Sequence, residues 1–363
     1  MKMKSAFFGL ILLIPSLCPA QGKTEIGEIN HAMFRIDVPD NWNHGLVIYC
    51  HGYDDQPVRY EHKALPPVLA VFVKAGYALA ESGYSTGGWA IEQAIPDTEA
   101  LRRYFIGKYG KPKEIFLTGH SMGGFLTMAI MEQYPETYDA GLALCGPLAA
   151  PAWFMQRWAF DDRVIFDYYF PGALPDPSRV PPGYAMSDQL TAKILRLLNG
   201  KRAAAAVLRN LSGAHSNKDL ADGLMFATYV LKDLQQRAGG NPFDNRHTIY
   251  AGTPDDNTLN DKVHRYSAAP ATFSYLQKYY APTGKISRPI LAIHTTYDPL
   301  VSPWIPDQYL LLTREVGTSA LFVQQYVKHD GHCNISAQEV ARGFDELRQW
   351  KEKGTRPSPG GLQ

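Results

Sequence analysis

Short apolar runs recur along the chain, separated by stretches that suit helices: "AMFRIDV", "GLVIYC", "GYALAE", "EIFLTG", "AGLALC", "PILAIH" and "ALFVQQYV". Buried strands alternating with helices imply a mostly parallel sheet covered on both faces, because each parallel connection needs a crossover long enough to hold a helix. Trp89 to Tyr109 suits such a crossover, and Met122 to Tyr134 suits a second helix. Right-handed βαβ units are expected. The alternation stops at "CGPLAAP" and resumes near "SRPILAIH". The gap of about 140 residues is too long for a loop. Its helix-like segments, "MSDQLTAKILRLLNGKRAAAAVLRNL", "KDLADGLMFATYVLKDLQQRA" and "PATFSYLQKYY", predict a mainly helical cap inserted into the sheet domain. The expected organisation is a leader at 1–20, the first part of the sheet domain at 21–146, a cap at 147–288, the second part at 289–352 and a disordered tail at 353–363.

The leader rests on Lys2 and Lys4, the apolar run "AFFGLILLI", and small residues Cys18 and Ala20 where a signal peptidase reads. Export to a secreted or periplasmic location is expected, with cleavage after Ala20. A retained anchor is the alternative, although the run is short for a bilayer. A lipoprotein signal on Cys18 would place the bulky Leu17 before the lipidated residue. Removing the leader leaves Cys50, Cys145 and Cys333, enough for one bridge in an oxidising compartment. Spacing does not choose among the three pairings, and free buried thiols are the other option. A formal charge of +1 without a basic run argues against nucleic acid, and no second apolar segment suggests a stable membrane span.

"TGHSMGG", Thr118 to Gly124, follows the apolar "IFL" and sets Ser121 between Gly119 and Gly123. A strand that turns tightly into a helix strains its apex residue and leaves room only for glycine beside it. The serine hydroxyl then stands above the sheet edge, where the helix start aims N–H groups and its dipole. A serine becomes a nucleophile only when a histidine removes its proton and an acid orients that histidine. Ligands of open α/β sheets gather at the carboxyl ends of strands, so both partners should follow later strands. Asp298 in "PILAIHTTYDPLVSP" and His332 in "ALFVQQYVKHDGHCN" do so. Asp330 is the rival acid and His329 the rival base.

The chain resembles the α/β-hydrolase superfamily, in its secreted serine esterase, lipase and peptidase group. The matching stretches are "HGY", "GHSMGG", "YDPLV" and "GHC", in the order nucleophile, acid, histidine. The resemblance implies an α/β-hydrolase fold, a mostly parallel sheet with helices on both faces and an inserted mainly helical cap. It implies structural roles for His51 and His120 and needs no cofactor or metal. An oxyanion needs two preorganised donors. One is expected from the N–H of Met122; the resemblance points to the N–H of Tyr53 for the other, although "HGY" departs from the glycine-rich loop of many esterases.

Aromatic residues crowd "WFMQRWAFDDRVIFDYYF". Trp153, Phe154 and Trp158 there, with Trp89 in "GYSTGGWA", are candidates to line an apolar acyl pocket, the alternative being cap core. "TPDDNTLNDK" lacks the ordered ligand spacing of a calcium loop and reads as a solvated turn. The expected function is hydrolysis of a small ester through an acyl-enzyme. The alternative is a peptidase or amidase on a short peptide, which would need carboxylates for a free amine; Asp161 with Asp162, or Asp255 with Asp256, could supply them. Oligomeric state has no signature in the sequence.

Overall fold

The computed structural model describes residues 22–279 and 281–362, so the leader at 1–20 lies outside the described residues. Strands β1 (Lys23–Ile29), β2 (Ala32–Val38), β3 (Gly45–Cys50), β4 (Ala78–Ser82), β5 (Glu114–His120), β6 (Ala140–Leu144), β7 (Ile290–Tyr297), β8 (Phe322–Asp330) and β9 (Gly360–Gly361) form one sheet. Their order is β1-β2-β4-β3-β5-β6-β7-β8-β9, antiparallel at β1/β2 and β2/β4 and parallel from β4 onward.

Side chains alternate faces along a strand. Leu46, Ile48 and Cys50 of β3 join one core, while Val47 joins the other. The first core packs on α2 (Ile91–Tyr109) and α3 (Met122–Gln133) through Leu101, Phe105, Phe125 and Ile130. The second packs on α1 (Pro67–Lys74) and α12 (Ala337–Lys353) through Phe72, Phe344, Leu347 and Trp350. Burial on both faces explains why the central strands read as unbroken apolar runs.

Between β6 and β7 the chain forms α4 (Pro151–Met155), a π-helical turn (Gln156–Asp161), α5 (Asp162–Tyr169), α6 (Asp188–Gly200), α7 (Arg202–Ser212), α8 (Asn217–Ala238), α9 (Asp256–Lys262) and α10 (Pro270–Lys278). Local signals fix their ends. A capping box of Ser216 and Asp219 opens α8, and Gly239 at φ 73° closes it. Helix α11 (Asp307–Glu315) connects β7 to β8. No helix among the described residues is long and apolar enough to cross a membrane.

The tail at 353–363, expected to be disordered, is ordered over its described part. Gly360–Gly361 pairs with the outer edge of β8, and the Leu362 N–H donates to the Tyr326 carbonyl at 2.9 Å. Arg356 donates to the carbonyls of Ala320 and Phe322, each at 3.0 Å. An unpaired strand edge offers backbone partners that composition alone does not reveal.

Candidate active site

Ser121 lies between the last residue of β5 and the first of α3, with φ 57° and ψ −122°. Few non-glycine residues tolerate this backbone region, and it persists only where the surroundings enforce it. Its N–H donates to the Leu144 carbonyl at 2.9 Å, and its carbonyl accepts from Gly124 at 2.9 Å. The flanking glycines are steric requirements. A Cβ on Gly123 would lie 1.9 Å from the Cys50 carbonyl oxygen, and one on Gly119 would lie 2.4 Å from that of Gly123.

The structure brings Ser121, His332 and Asp298 together. Ser121 Oγ is 2.8 Å from His332 Nε2, and His332 Nδ1 is 2.7 Å from Asp298 Oδ2. The other carboxylate oxygen, Asp298 Oδ1, accepts from the N–H groups of Leu300 and Val301, both at 2.9 Å, which fixes its plane. Burial pushes the Asp298 carboxyl up, but the hydrogen bond and charge of His332, the Val301 N–H and nearby His294 outweigh it, and the net direction is downward. Asp298 is only 3% exposed, so little water competes for its carboxylate.

The rival residues lie elsewhere. His329 Nε2 is 3.0 Å from Glu339, part of the α12 capping box, and Asp330 is exposed at the end of β8. His51 stacks on Tyr84 with ring centroids 3.9 Å apart. His120 is pushed down to about 4 by burial and then by the neighbouring His332.

Of the three open cysteine pairings, Cys145 bonds to Cys333 and Cys50 is a free buried thiol. The bridge joins the end of β6 to the residue after His332.

Met122 and Tyr53 both line the cavity at Ser121. Met122 is the first residue of α3, and Tyr53 follows Gly52, whose Cβ, if present, would lie 3.3 Å from Ser121 Cβ. Neither N–H takes part in the turn, loop and cap hydrogen bonds of the described residues.

Ser121 and His332 open into a cavity of about 280 Å³ walled by Tyr53, Trp89, Phe154, Met155, Trp158, Phe226, Val230, Leu300 and Val301. Phe154 and Trp158 stack at 5.4 Å, Trp158 meets Phe226 at 5.7 Å, and Phe226 meets the Tyr53 ring edge-on at 5.3 Å. Cap and sheet domain thus share one aromatic wall. The sequence missed Met155, Phe226 and Val230, whose apolar helical spacing reads equally well as cap core.

Trp153, expected in this pocket, is not part of it. It lies one residue round the helix, in a T-shaped contact with Trp304 at 5.7 Å, and lines a second cavity of about 340 Å³ beyond the Phe154–Trp158 wall. Asp161 and Asp162 also line that second cavity. Burial pushes Asp161 up to about 6, and burial with the Asp161 charge pushes Asp162 up to about 8. Asp255 caps α9 (Asp256–Lys262) by accepting from the Thr258 N–H, and Asp256 accepts from the Thr253 N–H in the turn before it. Neither carboxylate pair reaches the Ser121 cavity. Among the described residues no cluster of three or more His, Cys, Asp or Glu side chains is arranged to hold a metal ion.

A family model described as serine aminopeptidase, S33, matches residues 42–196. An o-phthalyl amidase from Xanthobacter agilis is 22% identical over an alignment covering 92% of this chain and 88% of that protein. A monoacylglycerol lipase from Mycolicibacterium smegmatis is 30% identical over 32% of this chain and 42% of that protein. A puromycin-hydrolyzing peptidase from Mycobacterium tuberculosis superposes with a TM-score of 0.50 at 10% identity, over 95% of this chain. The chain spans only 42% of that peptidase's length. The strand order, the strained serine between β5 and α3, and the likeness to this solved structure show that the chain has an α/β-hydrolase fold.

Proposed function

We propose that the protein is an exported serine hydrolase that cleaves neutral esters of apolar or aromatic acyl groups through an acyl-enzyme. The observation that carries this reading is the Ser121–His332–Asp298 hydrogen-bond chain opening into an aromatic cavity. Ser121 Oγ bonds to the acyl carbon while its proton passes to His332 Nε2, and the oxyanion rests on the N–H groups of Met122 and Tyr53. The tetrahedral intermediate collapses by breaking the bond to the alcohol oxygen, which takes the proton from His332. Water then repeats the sequence, giving its proton to His332 and releasing the acid from Ser121. Asp298 orients the imidazole and stabilises its charged form.

Export is supported by the leader-like segment at 1–20 and by the Cys145–Cys333 bridge, which suits an oxidising compartment. A free amino terminus would need a carboxylate near the acyl carbon, and among the described residues no Asp or Glu lines the Ser121 cavity. This disfavours aminopeptidase activity. Amide cleavage is the second reading, favoured by the similarity to an o-phthalyl amidase over most of both chains.

The test combines a fluorophosphonate probe with paired aryl benzoates and benzoyl anilides. Labelling of Ser121 and turnover of the benzoates are expected. A folded protein that neither labels nor turns over either substrate would refute the proposal, and faster anilide cleavage would select the amidase reading.

A further inference from the structure

The walls of the Ser121 cavity differ in what stands behind them. Met155, Val230 and Val301 are buried in the core, and Trp89 packs on the buried Phe125 at 5.6 Å. Tyr53 also lines a separate cavity whose walls include Asp55, Asp233 and Arg237, where an apolar chain would strip water from charges. Phe154 and Trp158 back onto the second cavity of about 340 Å³, and among the described residues they alone line both it and the Ser121 cavity.

The two rings of this partition are held differently. Phe154 is buried on α4, within the core. Trp158 is half-buried within the π-helical turn and also borders a third void of about 20 Å³, beside Gly223 and Ala227 of α8. Protein cores are ordinarily close-packed, and atoms facing a void forfeit dispersion contacts on that side. A ring that borders three voids is a thin wall between spaces.

The space beyond it suits an apolar chain. Ile165, Leu211 and Ile305 line it. The polar groups there are already engaged: Asp161 Oδ1 accepts from Gln156 at 2.9 Å and from the Tyr250 hydroxyl at 3.0 Å, and the Arg157 guanidinium lies over the Trp153 ring at 5.7 Å. Asp162, pushed up to about 8 by burial and the Asp161 charge, keeps its proton at neutral pH.

We propose that Trp158 sets the acyl-length limit of the enzyme: the chain of a bound ester ends against the Phe154–Trp158 stack, and a smaller side chain at 158 opens the second cavity to longer acyl groups. This rests on the acyl-enzyme reading above. It makes Trp158 a specificity-determining residue.

The experiment measures kcat/KM for p-nitrophenyl esters from acetate to dodecanoate and for alkyl acetates from methyl to dodecyl. It is run on the parent protein, Trp158→Phe, Trp158→Ala, Trp304→Ala and the Trp158→Ala/Trp304→Ala double variant, each checked for Ser121 labelling by a fluorophosphonate. Trp304 lines the second cavity only and is 52% exposed. In the parent protein kcat/KM should rise about fourfold per methylene while the acyl chain fits, the value of burying one methylene, and then fall. Trp158→Phe should move the maximum to a longer acyl chain and Trp158→Ala further. The latter should raise the ratio of decanoate to butanoate by at least about tenfold, which two further buried methylenes suffice to supply. Trp304→Ala should leave the parent profile in place and weaken long esters only when Trp158 is also replaced. A parent profile without a length limit, an unchanged maximum in both labelled Trp158 variants, or a shifted maximum in Trp304→Ala alone would overturn the inference while ester turnover left the acyl-enzyme reading standing. A limit seen in the alkyl acetates and not in the acyl series would overturn the assignment of this wall to the acyl group. No labelling and no turnover of any ester by the parent protein would overturn the acyl-enzyme reading itself.

Discussion

Cys333, the residue after His332, is bonded to Cys145, which follows the last residue of β6, across a sequence separation of 188. The loop carrying the imidazole is therefore tied to the strand beside β5. Cys333 Sγ lies 3.5 Å from His332 Nε2 and forms part of the cavity wall. The bond does two things at once: it closes a loop containing the whole cap, and it fixes where the base stands.

Cys145→Ser, or mild reduction, should accordingly lower kcat about tenfold, since a small misplacement of a catalytic group is costly. Thermal stability should fall by about 2–4 kcal/mol. Measuring kcat at a temperature well below the variant's Tm separates the two effects. Unchanged kcat in a destabilised variant would mean that the bridge only restrains the unfolded chain.

In the proposed mechanism Ser121 and His332 act as a unit, so Ser121→Ala, His332→Ala and the double variant should each lose roughly 10⁶-fold in kcat, with no further loss on combination. Asp298→Asn should cost about 10⁴-fold by presenting the wrong tautomer. Asp330→Asn should leave activity within about twofold, as expected of an exposed side chain outside the Ser121–His332–Asp298 hydrogen-bond chain. Additive losses, or a damaging Asp330→Asn, would displace the assignment.

The pH profile of kcat/KM should have a single acid limb, because His332 must be neutral to accept the Ser121 proton. His120, pushed down to about 4, is neutral across that limb, and burial lowers His294 too. The Asp298 carboxyl, shifted downward, stays charged. His120→Asn should therefore leave the limb where it is. A displaced or steeper limb in that variant, followed with a neutral ester, would show that His120 shares the proton.

Much of this architecture was legible in the chain. The run "GLVIYC" is β3 to the residue, and "TGHSMGG" predicts the turn at Ser121, because steric rules at a tight turn are local. Strand β1 was not legible: "KTEIGEI" is polar and becomes a strand by pairing with β2. The tail escaped for the same reason, since its partner is the β8 edge. Trp158 reaches the Ser121 cavity and Trp153 does not, a matter of helix phase into the π turn that composition does not encode. The Cys145–Cys333 pairing needed the positions of two distant loops.

Gly123→Ala should prevent stable folding, since its methyl would sit 1.9 Å from the Cys50 carbonyl oxygen and 3.0 Å from that of His51. That backbone cannot retreat, because β3 is paired with β5 through Cys50. Gly107→Ala is the control: it lies inside α2 with nothing within 4 Å of a new Cβ. It should stabilise by about 0.5–1 kcal/mol. Thermal unfolding of the two variants checks both signs.

Glu81 offers a test of burial energetics away from the active site. It sits on β4, 5% exposed, beside Arg35 and Asp37. Burial pushes its carboxyl up to about 7; the Arg35 charge pulls it down, and the Asp37 charge pushes it up. An acid whose folded pKa is raised loses its proton first in the unfolded chain. The unfolded state is thus favoured progressively as pH rises from the ordinary carboxyl value of 4.5 to about 7, after which the penalty is constant. Glu81→Gln mimics the protonated form and should escape that penalty. Its Tm advantage over the parent protein should be small at about pH 4.5, grow through about pH 7 and then level, corresponding to roughly 1–3 kcal/mol. A difference independent of pH between about 4.5 and 8 would mean that Glu81 is already charged in the fold, with Arg35 as an effective counter-ion.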